Sequence, residues 1–158
     1  MNVSLEAIGQ GDQKSTVTVT EQFGKPTSLA SVTSVKGYST VSLDVKPLDK
    51  QAGIEVGETI VMKIQALSKG TAPSTAVKLK MVVSPELEIV NISGPAKFHE
   101  YGNTIEFDEI SALPTANSAD FELKLKAIAP GDARFKVSAE SNEMKSSISK
   151  EEAILILQ

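Results

Sequence analysis

The chain has 158 residues, 41% hydrophobic and 23% charged, and its sixteen basic and twenty acidic residues give a formal net charge of −4. That balance fits one folded domain of ordinary size, or one domain with a fragment of another, and excludes wholesale disorder. Cysteine is absent, which removes disulfides, thiolate nucleophiles and cysteine-based metal sites, and no Lys/Arg cluster supplies the footprint of a nucleic-acid binder.

Residues 1–40 are rich in Ser, Thr, Gly and Gln. Val3, Leu5 and Ala7 alternate with polar or charged residues, as do Val17 and Val19, and Gly9-Gln10-Gly11-Asp12 between them is a turn. The pattern predicts a hairpin over 2–20 and a polar linker over about 21–40. Val137-Ser138-Ala139-Glu140 echoes Val3-Ser4-Leu5-Glu6. Residues 1–22 are therefore expected to be the last two strands of a preceding copy of the domain that fills residues 41–158. A lone hairpin is marginal in water. It is expected to pair along an open strand edge, and a strand-exchanged dimer is one form of that pairing.

From residue 41 onward the chain alternates apolar and polar residues. Ile60, Met62, Ile64 and Ala66 are apolar with Lys63 and Gln65 between them; Val77, Leu79 and Met81 flank Lys78 and Lys80; Phe121, Leu123 and Leu125 flank Glu122 and Lys124; Phe135 and Val137 flank Lys136. A period of two puts one set on a core face and the other in water, as in a half-buried antiparallel strand. Strands are predicted near 41–46, 59–67, 76–83, 87–92, 104–110, 119–128, 133–140 and 152–157. The turns are Gly70-Thr71-Ala72-Pro73, Ser84-Pro85, Gly94-Pro95, Gly102-Asn103, Pro114 and Pro130-Gly131-Asp132. Ser149-x-x-Glu152 imitates a helix cap. The run Ala153-Ile154-Leu155-Ile156-Leu157 after it is short and suits a buried strand better. Short strands at such spacing predict an all-β fold, an antiparallel sandwich of seven or eight strands plus the N-terminal hairpin. Phe107 joins the apolar residues above in the expected core.

No apolar stretch is long enough to span a bilayer, so no direct membrane insertion is expected. Met1-Asn2-Val3-Ser4 does not read as a signal peptide, and the chain stops one residue after its most apolar strand. Both suggest a piece of a longer protein whose secretion signal lies elsewhere.

One stretch carries a wider pattern. Val56-Gly57-Glu58-Thr59-Ile60 is followed by Ile64-Gln65-Ala66-Leu67-Ser68-Lys69-Gly70, then Ala76-Val77-Lys78-Leu79 and Ser84-Pro85-Glu86-Leu87-Glu88-Ile89. This resembles the conserved repeat domain of bacterial and archaeal cell-surface proteins, which is immunoglobulin-like and related to the bacterial cell-adhesion domain. Ile105-Glu106-Phe107 and Leu113-Pro114 resemble its later strands, so the likeness covers about residues 41–140. Ser68 stands where that family often has Asn, Met62 where it often has Tyr, and Pro85-Glu86-Leu87 is an abbreviated turn. The resemblance implies a structural or adhesive repeat at the cell surface or outside the cell, with neighbouring repeats as partners and no common catalytic residues.

Candidate chemistry is sparse. His99 is the lone histidine, so a Ser-His-Asp triad would have to use it, and it reads as a surface residue with Phe98 turned to the core. Tyr38, Phe98 and Tyr101 would make a glycan-stacking platform only if their rings gathered in water; packing within loops is the better reading. Glu55, Glu58, Asp108, Glu109 and Asp132 lack the Asp-x-Asp spacing of a calcium loop. Asn2-Val3-Ser4 and Asn91-Ile92-Ser93 match the glycosylation acceptor pattern but fall in predicted strands. No catalytic residue, metal site or cofactor is expected. The partner-contact loop, if one exists, is expected at Phe98, His99 and Tyr101. The expected role is a non-catalytic structural or adhesive module. The alternatives are a carbohydrate- or protein-binding module, with specificity in loops 68–76 and 94–103 and a cell-surface protein or glycan as partner, or an accessory domain of a secreted hydrolase.

Overall fold

The computed structural model describes residues 6, 11–20, 22–48 and 53–158. The strand expected around Val3, Leu5 and Ala7 lies outside the described residues. The chain divides into two compact units, Met1–Gly37 and Tyr38–Gln158.

In the first unit β1 (Gly11–Val19) pairs antiparallel with β2 (Thr27–Val35). The expected polar linker over 21–40 therefore contains a strand. Thr27, Val32, Thr33 and Val35 are β-branched and suit an extended backbone, while the serines among them blur the alternation. Val17 faces Leu29 and Val19 faces Thr27, so one face of the hairpin carries Val17, Val19 and Leu29, all exposed.

The second unit holds β3 (Ser39–Pro47), β4 (Ile54–Glu55), β5 (Thr59–Gly70), β6 (Ser74–Val83), β7 (Leu87–Ser93), β8 (Phe98–Tyr101), β9 (Thr104–Phe107), β10 (Ile110–Leu113), β11 (Ser118–Ala127), β12 (Gly131–Glu140) and β13 (Ile148–Leu157). One sheet has the order β3-β5-β11-β7. The other has the order β4-β13-β12-β6-β9-β8, with β10 also on β6. All pairs are antiparallel except β4 with β13, where Ile54 faces Ile156. This is an immunoglobulin-like β-sandwich with no helix among the described residues. Three short strands, β4, β8 and β10, bring the count above the expected seven or eight.

Alternation sets the core. Along β11, Phe121, Leu123 and Leu125 are buried while Glu122, Lys124 and Lys126 are exposed. Every residue expected in the core is buried, and Val41, Leu43 and Val45 of β3 join them. Phe107 of one sheet meets Phe121 of the other edge-on, with ring centroids 4.6 Å apart, which ties the two layers together. The terminal apolar run is a correction. Ile154 and Ile156 are buried, but Leu155 and Leu157 face water. As β13 has β12 on one side and only the two residues of β4 on the other, it lies near the edge of its sheet.

The sandwich has two poles. At the first, Ser39 lies opposite Gly70, and β5 passes into β6. At the second, β3 ends, β5 begins, and Gly131 lies opposite Ile156 near the end of β13. Strands β3 and β13 both run from the first pole to the second.

Candidate functional site

Phe98, His99 and Tyr101 do not lie in a loop. Gly102-Asn103 forms a two-residue turn that closes β8 onto β9, so these residues are an edge strand. Pairing of Phe98 with Phe107 and of His99 with Glu106 puts the two rings on opposite faces. Phe98 turns toward the core side, 6.1 Å from the Phe107 ring, and still remains 36% exposed because β8 is the last strand of its sheet among the described residues. Tyr101 stands in water at the second pole.

His99 has a partner that the spacing of the sequence hid. Lys80 faces Glu106 on β9, and Val77 faces Ile110 on β10, so three steps along β6 are matched by four on the other side. The extra residue is a bulge over 107–109, and such an irregularity re-aims side chains. It turns Asp108 to His99, with Oδ1 3.1 Å from Nε2, and Glu109 to Lys78, at 3.7 Å. Beside them Lys80 Nζ is 2.9 Å from Glu106 Oε1. The His99–Asp108 pair is exposed, and among the described residues no serine hydroxyl is hydrogen-bonded to His99. An exposed pair of this kind contributes at most about 1 kcal/mol.

The other candidates do not assemble. Tyr38 is at the first pole, where its carbonyl accepts the N–H groups of Thr71 and Ala72 at 2.9 and 3.1 Å. Tyr101 is at the second, next to Thr104, which faces Val82 near the end of β6. The length of β6, about 30 Å, separates them, so no stacking platform forms. Glu55, Glu58 and Asp132 lie at the second pole, away from Asp108 and Glu109, and among the described residues no three acids or imidazoles gather as metal ligands. Half-buried Ser39 and buried Ser74 and Ser68 form a hydroxyl chain at the first pole: Ser39 Oγ is 2.6 Å from Ser74 Oγ, itself 2.9 Å from Ser68 Oγ. These hydroxyls satisfy one another. A shallow depression of about 290 Å³ on the outer face of the seven-stranded sheet is lined by Lys78, Lys80, Glu106, Ser138 and Glu140, whose charges balance.

One carboxylate stands out electrostatically. Glu143, in the β12–β13 connection, accepts the Thr75 N–H at 3.0 Å and the Thr75 hydroxyl. Burial alone would raise its carboxyl, but the bonds from the Thr75 hydroxyl and amide outweigh it and hold the pKa at about 2. Asn142 N–H donates to Thr75 O at 3.0 Å, so the pair latches this connection to the start of β6.

No protein-family profile matches the chain. Solved structures share its fold. A family 123 glycoside hydrolase from Clostridium perfringens aligns over 75% of this chain and 27% of its own, at 12% identity and a TM-score of 0.51. The chain thus spans about a quarter of that hydrolase. A protein that catalyses macrocyclisation in alchivemycin A biosynthesis aligns over 75% of this chain and 89% of its own, at 10% identity and a TM-score of 0.51. A non-cellulosomal cohesin from the archaeon Archaeoglobus fulgidus aligns over 77% and 92%, at 11% identity and a TM-score of 0.49. At such identities the likeness is one of fold alone.

Proposed function

We propose that residues 38–158 are a non-catalytic structural module of a larger cell-surface or secreted protein, set in line with neighbouring modules. The observation that supports this most is the shared direction of β3 and β13. The chain enters the sandwich at one pole and leaves at the other, so linked copies extend rather than fold back. The ten residues of β13 span about 33 Å, which is the length each copy would add. The outer faces fit a spacer too, since charges of both signs alternate there and pair, as in Lys80–Glu106 and Lys46–Asp44.

The test is small-angle scattering on a polypeptide carrying two copies of residues 38–158 in tandem. The expected result is a maximum dimension longer than that of one copy by roughly 30 Å or more. A pair no longer than one copy, with both copies folded, would sink the in-line reading. The glycan-stacking reading is weaker because Tyr38 and Tyr101 occupy opposite poles.

A further inference from the structure

The second pole carries a surface that the packing of the sandwich does not explain. Leu155 and Leu157 lie on the outer side of β13, one residue out of phase with buried Ile154 and Ile156, and are 45% and 48% exposed. Val56 donates its N–H to Leu157 O at 3.1 Å. Val56 is 43% exposed. Three branched aliphatic side chains on two hydrogen-bonded segments therefore stand exposed side by side at one end of the unit. Exposed apolar residues scattered singly need no explanation, but a gathered set marks an interaction surface.

The rim of this surface is acidic. Glu55 lies opposite Leu157, and Asp132 lies opposite Leu155. Glu58 reaches back so that its carboxylate accepts the Glu55 N–H at 2.9 Å. Among the described residues the nearby cations are directed elsewhere. Arg134 pairs with Glu151, and Lys126 is on the outer face of the four-stranded sheet opposite Glu88. Elsewhere on the sheets Asp44, Glu106 and Glu109 pair with Lys46, Lys80 and Lys78; here Glu55 and Asp132 flank apolar residues instead.

We propose that this pole docks a protein segment presenting aliphatic side chains flanked by lysine or arginine. The apolar centre supplies burial, and the carboxylate rim selects the sign of the partner's charge. That sign disfavours an anionic lipid surface and the equivalent acidic pole of a second copy. The proposal stands apart from the in-line reading, since it needs only the residues of one pole.

The test uses the full chain and a fluorescein-labelled peptide with a leucine–valine centre between two pairs of lysines, read by fluorescence anisotropy. A matched peptide carries glutamates in place of the lysines. The basic peptide should bind at least about tenfold more tightly, and added salt should weaken it. The double variant Val56→Ser, Leu155→Ser should lose the binding. Glu55→Lys with Asp132→Lys should reverse the preference; these residues are exposed, so this variant decides the matter if the first does not fold. Glu58 is left unchanged because its carboxylate holds the turn. Equal binding of both peptides, or binding of neither, would overturn the proposal. So would self-association that Leu155→Ser removes, or preferential binding to vesicles of anionic phospholipid.

Discussion

Gly94 lies directly against the ring of Phe121: a Cβ added at Gly94 would stand 2.1 Å from Cδ1 and 2.7 Å from Cε1. The ring has nowhere to retreat, because Phe121 is fully buried and packed edge-on against Phe107. The glycine is thus required by volume. Gly94→Ala should destabilise the second unit by about 2 kcal/mol or more, measured by urea unfolding. Placing the same change in a Phe121→Leu background should cost less, because the smaller side chain leaves room. A double-mutant cycle showing strict additivity would argue against this contact.

Gly70 answers to two constraints at once. Its φ is +118°, and a Cβ there would come 2.2 Å from the Tyr38 carbonyl oxygen. The neighbour is backbone and cannot swing aside. Gly70→Ala should cost on the order of 2–4 kcal/mol, while Gly102→Ala, whose Cβ would meet nothing within 4 Å, should cost less despite its own positive φ. Thermal melting of the two variants side by side checks the order.

The Glu143 latch makes a signed prediction about pH. Its folded carboxyl is held at about 2, below the ordinary value of 4.5. Its contribution should be fully present above about pH 4.5 and fade as pH falls toward 2. Glu143→Gln should lower stability at pH 7 by on the order of 1 kcal/mol or less, since the group is exposed and screened. The gap between variant and parent should then close as the pH is lowered through that window. A gap independent of pH down to 2 would mean that the charge on Glu143 plays no part.

The two units should be separable. Removing residues 1–37 should leave the second unit folded, with a melting temperature within about 3 °C of the parent. Loss of folding would mean that the N-terminal hairpin supplies part of this sandwich.

The strands and the core were legible because Phe121, Leu123 and Leu125 alternate with charged residues, and a period of two names the buried face without further information. The same period says nothing about which strand lies beside which, so the order β12-β6-β9 could not be read. Thr27–Val35 reads as a linker because serines dilute its alternation. Phe98–Tyr101 reads as a loop although Gly102-Asn103 is a hairpin signal. The His99–Asp108 contact was hidden for a different reason: a single extra residue in the ladder moves a carboxylate onto a new neighbour, and spacing alone does not show bulges. At the second pole the clue is present in Leu155 and Leu157, where a strand next to the sheet edge stays apolar on the side that should be polar.

The common direction of β3 and β13 also limits how this fold can be rewired. Joining the two ends of the second unit to open new ones elsewhere would require a bridge along the whole sandwich, roughly 33 Å, or about ten extended residues. In a sandwich whose ends lay at the same pole, a short turn would suffice. Here the added bridge would have to cross one of the charged outer faces or an open edge. Tolerance to circular permutation should therefore depend on the length of that bridge more than on where the chain is cut.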